Sequence, residues 1–298
     1  MTLIAMLISL VAEHFLRHLQ DLRRLEWFSA YYRWLYVRCS RFALWHGPTG
    51  VLLTVVPVAL LVGVVYGLLA RVAFGIPGFI VAVLVLLYCL GPRDLEGQVE
   101  TFLEAWRQGD REGALLHAGD LLENHVGEDN AEVTQAMIES ILVQANERLF
   151  GVLFWFGVLG PLGAALFRLS AALKTRAKQS DSAALPGFAE AAQRLYWVMA
   201  WVPARLVALS YSLTGSFDEA IHAWRIYREQ GAGRFTDSNV GVLVAAGAGA
   251  VRLEQEDIGE YDREASGELV RTALSLVLRA LVLWLTVIAL MTLAGWAG

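Results

Sequence analysis

The chain has 298 residues, of which 56% are hydrophobic and 18% are charged, and its formal net charge is −5. This composition is too apolar for an ordinary water-soluble domain of this length and indicates an integral membrane protein. The acidic balance, without a basic tail or stripe, argues against a nucleic-acid partner. Cys39 and Cys89 show no CxxC or Cys/His pairing, so we interpret both as free thiols.

Apolar runs predict five or six membrane-spanning helices, since about 20 residues are needed to cross the hydrocarbon core. The first run, residues 3–16, is interrupted by Glu13 and His14, and we interpret it as either a retained first helix or a half-inserted one. The other predicted spans are 48–69, 76–90, 150–173, 195–213 and 273–293. The predicted fold class is therefore all-α, a single integral membrane domain over residues 1–298 with additional amphipathic helices.

The basic residues predict the orientation, because cytoplasmic segments beside membrane spans carry an excess of Lys and Arg. Segments 17–46, 92–148 and 215–270 hold most of them and are predicted to be cytoplasmic. The link 174–194 conflicts with this arrangement, because it is basic as well and would face the opposite side.

Three polar patches interrupt the apolar sequence between residues 142 and 253. They are candidate functional residues, because segments at lipid depth keep polar groups only where these have partners or a task. The first patch, Asn146-Glu147, directly precedes an apolar run and is either a charged helix end or part of a site.

The second patch places Pro203 and Arg205 in the middle of the 195–213 run. An arginine at that depth costs about 2.5–3.5 kcal/mol, so it requires a partner or a ligand. Either Arg205 pairs with Glu147 or Glu13, or its planar fork holds a phosphate or a carboxylate.

The third patch, Asp237-Ser238-Asn239, precedes a run of small residues and has the pattern of a helix N-cap. A helix start of this kind also presents N–H groups to an anion. The sequence contains no Walker, dinucleotide-binding, nucleophile-elbow or HExxH motif, so catalytic residues stay unassigned and no metal site is predicted.

The order of these patches resembles the AmpE family, inner-membrane proteins described as regulatory modulators of β-lactamase induction. The resemblance rests on Leu-Phe-Trp at 153–155, Trp-Val-Pro-Ala-Arg-Leu at 201–206 and Ala-Trp at 223–224. It implies a multi-pass protein of a bacterial inner membrane that is linked to cell-wall recycling. Its implied partners are the lipid bilayer, an anionic small molecule, a cytoplasmic protein and a second copy of the chain.

The chain is more distantly similar to the membrane synthases of cobalamin biosynthesis that make adenosylcobinamide phosphate. Their Ile-Pro-Ala-Arg-Leu box is matched at 202–206, and their Ser-Pro-Asn-x-Gly string at 237–241, which keeps Asn239 and Gly241. Their Asn-Thr-Leu-Asp-Ser-Met string falls on 168–173, where neither the Asn nor the Asp is present. This resemblance implies an ATP-dependent ligase or transferase, with Mg²⁺ and a phosphate-bearing ligand as candidate cofactors.

The missing acid argues against the synthase chemistry. The sequence therefore favours a non-enzymatic sensor of the AmpE type over a synthase-like enzyme, and it ranks a transporter third because no inverted repeat is found. The candidate ligand-binding residues are Arg205, Asn239, Ser238, Asn146, Glu147, Glu13 and Asp237.

Overall fold

The computed structural model describes residues 2–15, 26–39, 45, 47–72, 75–90, 95–119, 121, 129–179, 186–230, 237–253 and 263–294. The regular elements within these ranges are all helical, which confirms the all-α prediction. The helices are α1 Thr2–Phe15, α2 Glu26–Cys39, α3 Pro48–Leu69, α4 Ile76–Cys89, α5 Leu95–Gln108, α6 Arg111–Ala118, α7 Asn130–Ala145, α8 Gly151–Gln179, α9 Pro186–Thr214, α10 Phe217–Gln230, α11 Ser238–Val251 and α12 Arg263–Leu293. A π-helical turn, Asn146–Phe150, joins α7 to α8.

Three stretches of the described chain are long and apolar enough to cross a bilayer, and they are Pro48–Leu69, Asn130–Ala177 and Glu264–Leu293. The predicted number of five or six spans is not confirmed. The runs at 3–16 and 76–90 correspond to shorter apolar helices. The run at 195–213 lies in α9, which is not among the three stretches. These helices support association with a membrane.

The chain divides into two compact units. Unit 1 contains Met1–Pro92, Glu147–Trp201 and Met291–Gly298, and unit 2 contains Arg93–Asn146 and Val202–Leu290. The prediction of a single integral membrane domain stays a prediction.

Within unit 1, α8 is a helical hairpin rather than a straight rod. Gly160 has φ 65° and ψ −152°, a region that is essentially restricted to glycine, and Pro161 follows it. A Cβ atom built on Gly163 would collide with the carbonyl oxygen of Trp155. Because these two residues lie on opposite sides of the turn, the arms of the hairpin are in contact.

The hairpin corrects the prediction of one continuous span over 150–173. At 1.5 Å per residue, a straight helix would separate Glu147 from Lys174 by about 40 Å. Their side chains instead form an ion pair with 2.9 Å between Nζ and Oε2. The tip does not reach the end of α3, since Leu162 meets Gly63, about 9 Å before that helix ends at Leu69. The two ends of the hairpin therefore lie together, at the end of α3 where that helix begins.

The base of the hairpin packs against α2. Arg176 lies over the ring of Phe28 at 5.9 Å, and Phe188 contacts the rings of Tyr32 and Trp45. The buried residues of this cluster are Phe28, Leu35, Trp45, Val51, Val55, Leu169, Leu173, Ala177, Phe188 and Ala192. Both ends of the basic segment 174–194 thus lie beside the basic segment that contains α2. This arrangement agrees with placing both basic segments on one side of a membrane, and the orientation stays a prediction.

In unit 2, α10 and α11 approach each other closely. A Cβ atom on Gly249 would lie 2.7 Å from the carbonyl oxygen of Glu219, so only glycine fits this contact. Near the other end of the same pair, Gly241 faces the hydroxyl group of Tyr227. The small residues of α11 therefore allow close helix packing, as the sequence predicts.

Candidate functional site

Arg205 is held at the N-terminus of α11. Its Nη1 donates a hydrogen bond to Asn239 Oδ1 at 2.8 Å, and Asn239 is only 2% exposed. Asp237 is the N-cap of α11, since its Oδ1 accepts a hydrogen bond from the Asn239 backbone N–H at 2.8 Å. The second and third polar patches of the sequence therefore meet in unit 2.

Tyr227 of α10 completes this group, which we call the Arg205 cluster: Arg205, Tyr227, Asp237 and Asn239. Tyr227 lies within electrostatic range of both Arg205 and Asp237. Burial and the Asp237 carboxylate raise the pKa of the Tyr227 phenol, although Arg205 opposes the shift. Tyr227 therefore stays protonated at neutral pH and is able to donate a hydrogen bond.

Two buried hydrogen bonds within unit 2 fix the part of α9 that carries Arg205. Tyr211 donates its hydroxyl to the carbonyl oxygen of Leu142 on α7 at 3.1 Å. Trp284 of α12 donates its indole N–H to Ser210 Oγ at 2.8 Å. Because both bonds lie one to two turns beyond Arg205, they set the rotation of the helix about its axis and hence the direction of the guanidinium.

The surroundings of Arg205 are more polar than the apolar run predicts. Tyr227, which neighbours it in the cluster, lies on α10 between Arg225 and Arg228, and both of these arginines are exposed. Arg205 therefore lies beside a helix that carries exposed charged side chains, so the cost of a guanidinium surrounded by hydrocarbon alone does not apply.

The cluster is suited to an anion. A guanidinium carries five N–H donors, so a bond to Asn239 is compatible with a second acceptor on Arg205. The phenol of Tyr227 and the N-terminal end of α11 present further donors and partial positive charge. A phosphate or a carboxylate matches this arrangement in charge and in hydrogen-bonding type.

A magnesium ion held by protein groups alone does not fit these residues. No three His, Cys, Asp or Glu side chains of the described chain are grouped closely enough to hold a metal ion. Asp237 is the single carboxylate of the Arg205 cluster, and its Oδ1 already accepts a hydrogen bond from the Asn239 backbone. The cluster therefore presents donors rather than a set of metal ligands.

The first polar patch belongs to a different group of side chains. Glu147 Oε2 accepts hydrogen bonds from Lys174 Nζ at 2.9 Å and from the Tyr196 hydroxyl at 3.3 Å. Lys174 also lies 4.0 Å from the centre of the Tyr196 ring. Asn146 is 2% exposed, and its Oδ1 has no hydrogen-bond partner among the described residues.

The two remaining candidates are Ser238 and Glu13. Ser238 is the first residue of α11 and is half-buried beside Asp237. Glu13 lies in α1, but its side chain falls outside the described part of the chain. Glu147, one of the two partners predicted for Arg205, is bonded to Lys174 instead. Arg205 is bonded to Asn239, which the sequence places in the site without pairing it to Arg205.

Sequence reasoning missed Tyr227 and Lys174. Tyr227 lies in a helix whose pattern is that of an ordinary amphipathic segment, and its role depends on packing against Gly241. Lys174 was assigned to a link on the opposite face. The Gly160-Pro161 dipeptide is the signal that could have predicted the turn and hence the contact between Lys174 and Glu147.

The fold and the Arg205 cluster define a helical protein with membrane-type helices and a donor-rich site at a helix N-terminus. The chain matches the CobD/Cbib protein family over residues 3–276, and it belongs to that family.

Individual relatives agree with this assignment. The chain is 37% identical over 173 residues to cobalamin biosynthesis protein CobD of Chromobacterium violaceum. The matched stretch covers 58% of this chain and 54% of that protein. The match thus spans about half the length of that relative. The CobD protein of Stutzerimonas stutzeri is 30% identical over 264 residues, or 84% of this chain and 82% of the relative.

The protein AmpE of Shigella flexneri is 26% identical over 237 residues, covering 76% of this chain and 78% of that protein. No solved structure matches the chain. The comparisons therefore support the resemblance to the cobalamin proteins more strongly than the resemblance to AmpE, which the sequence alone favours.

Proposed function

We propose that this chain is a membrane protein of cobalamin biosynthesis that recognises a phosphate- or carboxylate-bearing intermediate at the Arg205 cluster. The family match and the two CobD relatives support the pathway. The observation that carries the site is the 2.8 Å hydrogen bond from Arg205 to Asn239 at the N-terminus of α11.

The proposed role of the cluster is to bind and orient the anionic group of the intermediate. Arg205 supplies the charge, Tyr227 supplies a neutral O–H donor, and the start of α11 supplies backbone N–H groups. Asn239 holds the Arg205 guanidinium through a hydrogen bond, and Asp237 caps the N-terminus of α11. In a ligase or transferase of the synthase type, such binding would position the substrate for attack.

A regulatory role of the AmpE type is the second candidate, and the relative from Shigella flexneri supports it over most of its length. The two functions differ in a measurable way. A biosynthetic protein changes the cobalamin content of the cell, whereas a regulator of the AmpE type changes β-lactamase induction.

The test is complementation in two strains. The first is a cobalamin-producing bacterium that lacks its own CobD protein and is grown where growth requires cobalamin. The second is a bacterium that lacks AmpE and in which β-lactamase induction by a β-lactam is measured. We expect this chain to restore growth in the first strain.

Variants of Arg205 connect the function to the site. Arg205→Gln should abolish growth, and Arg205→Lys should restore it only in part, because lysine keeps the charge but lacks the planar fork. Arg225→Gln is the matched control, since Arg225 is exposed on neighbouring α10 and should support full growth. Restored induction without restored growth would replace the biosynthetic proposal with the regulatory one.

A further inference from the structure

The base of the α8 hairpin carries more positive than negative charge. The carboxylate of Glu147 is bonded to Lys174, and the side chains of this ion pair are 17% and 13% exposed. Arg168, on the returning arm of the hairpin, also lies within electrostatic range of Glu147. Arg148 is a third cation within electrostatic range of Glu147, so three cations face this one carboxylate.

Arg168 has no acceptor of its own in this part of the structure. Its Nε is buried and has no hydrogen-bond partner among the described residues. The other titratable groups within its electrostatic range are the Tyr88 phenol and the Cys89 thiol at the end of α4, which are neutral when protonated. A buried guanidinium N–H without an acceptor is costly, and natural structures satisfy such groups with a protein partner, an ordered water or a ligand.

We propose that the base of the hairpin, at Arg168 and Lys174, is a binding site for a phosphate group. A phosphate oxygen would accept the hydrogen bond from Arg168 Nε and balance excess positive charge around Glu147. Lys174 has three donors and uses one of them on Glu147, so two donors are left for an anion. The Tyr196 ring contacts Lys174, and its hydroxyl donates a hydrogen bond to Glu147, so Tyr196 holds both members of the ion pair.

The site shares no residue with the Arg205 cluster and does not depend on the proposed function. Its residues all lie in unit 1, whereas the Arg205 cluster lies in unit 2. The phosphate has two chemical sources, the headgroup of an anionic lipid or a free phosphorylated molecule. Either source could reach the site, because the site lies at the base of the hairpin, and the base packs against α2.

The experiment measures thermal unfolding of the full-length protein in maltoside micelles, which contain no phosphate. All proteins carry Arg205→Gln, so that a response of the Arg205 cluster is removed. The probes are phosphatidylglycerol in mixed micelles, with diacylglycerol as the neutral control, and inorganic phosphate, with chloride at equal ionic strength. The variants add Arg168→Gln, Arg168→Met or, as the control, Arg71→Gln, which replaces an exposed arginine of unit 1.

We expect the parent protein and the Arg71→Gln control to be stabilised by at least one probe. Either change at Arg168 should weaken the apparent affinity for that probe about tenfold or more. Without a probe, both Arg168 variants should be at least as stable as the parent, because they remove an unsatisfied donor. This behaviour also distinguishes loss of binding from loss of folding.

Stabilisation by phosphatidylglycerol alone identifies a lipid headgroup, and stabilisation by inorganic phosphate alone identifies a free phosphorylated molecule. Stabilisation by both supports the shared chemistry. An equal response with and without Arg168, or no response to either probe in any of the proteins, would overturn the proposal.

Discussion

Lys174 and Glu147 form an ion pair at 2.9 Å although 27 residues separate them in the chain. Nearly all of the intervening residues are helical, so this contact requires the helix to turn back on itself, which it does at Gly160. The pair thereby converts an apolar run that looks like a membrane span into a re-entrant hairpin. Non-helical backbone at membrane depth is tolerated where protein buries it, and unit 1 covers the hairpin with α3 and α4.

The turn at Gly160 should tolerate no side chain. No atom lies within 4 Å of a Cβ placed there, so the effect of Gly160→Ala is conformational strain alone, about 1–3 kcal/mol of lost stability. Gly67→Ala in α3 is the control, since it has equally open surroundings and ordinary helical geometry. Thermal unfolding in detergent should show a lower midpoint for the first variant and an unchanged or higher one for the second.

The Glu147–Lys174 pair should show energetic coupling. In a double-mutant cycle with Glu147→Gln and Lys174→Met, we expect a coupling energy of about 0.5–3 kcal/mol, because the pair is largely shielded from water. As the control, the changes in the free energy of unfolding caused by Glu147→Gln and by Arg71→Gln, at an exposed arginine, should be additive. A cycle without coupling for the ion pair would contradict the hairpin geometry at its base.

The contact between α10 and α11 should fail when Gly249 acquires a side chain. The Cβ of Gly249→Ala would meet the backbone of α10, which cannot move away without shifting a helix, so we expect about 1–3 kcal/mol of destabilisation. Gly267→Ala in α12 is the control, because its Cβ would make an ordinary 3.6 Å contact with Leu103. Equal unfolding midpoints for the two variants would argue against the close approach.

Single cysteines should report the orientation of unit 1 in native membranes. In a background without Cys39 and Cys89, cysteines at the exposed positions Val37 and Glu190 should react with an impermeant maleimide from one side. A cysteine at the exposed Arg71 should react from the other side, because α3 is long enough to cross the bilayer. If Glu190 instead reacted together with Arg71, the continuous span over 150–173 would be correct.

The sequence alone determined the membrane class, the helices at residues 48–69 and 273–293, and the two patches that form the Arg205 cluster. These features are local, since apolar runs, N-cap residues and an arginine within an apolar run can be recognised without knowing their neighbours. The small residues before Val251 likewise predicted close packing, which the contact of Gly249 with α10 realises.

Only the tertiary structure decided which distant residues meet. Composition and periodicity are the same for Phe150–Leu173 whether it forms a straight spanning helix or a hairpin. Which of the two forms depends on whether the second arm packs against the first. The same holds for Tyr227, whose pattern on α10 is unremarkable until Gly241 leaves room for its ring beside Arg205. Pairing between residues that are far apart in the chain depends on the packing of whole helices, which the local sequence signals do not encode.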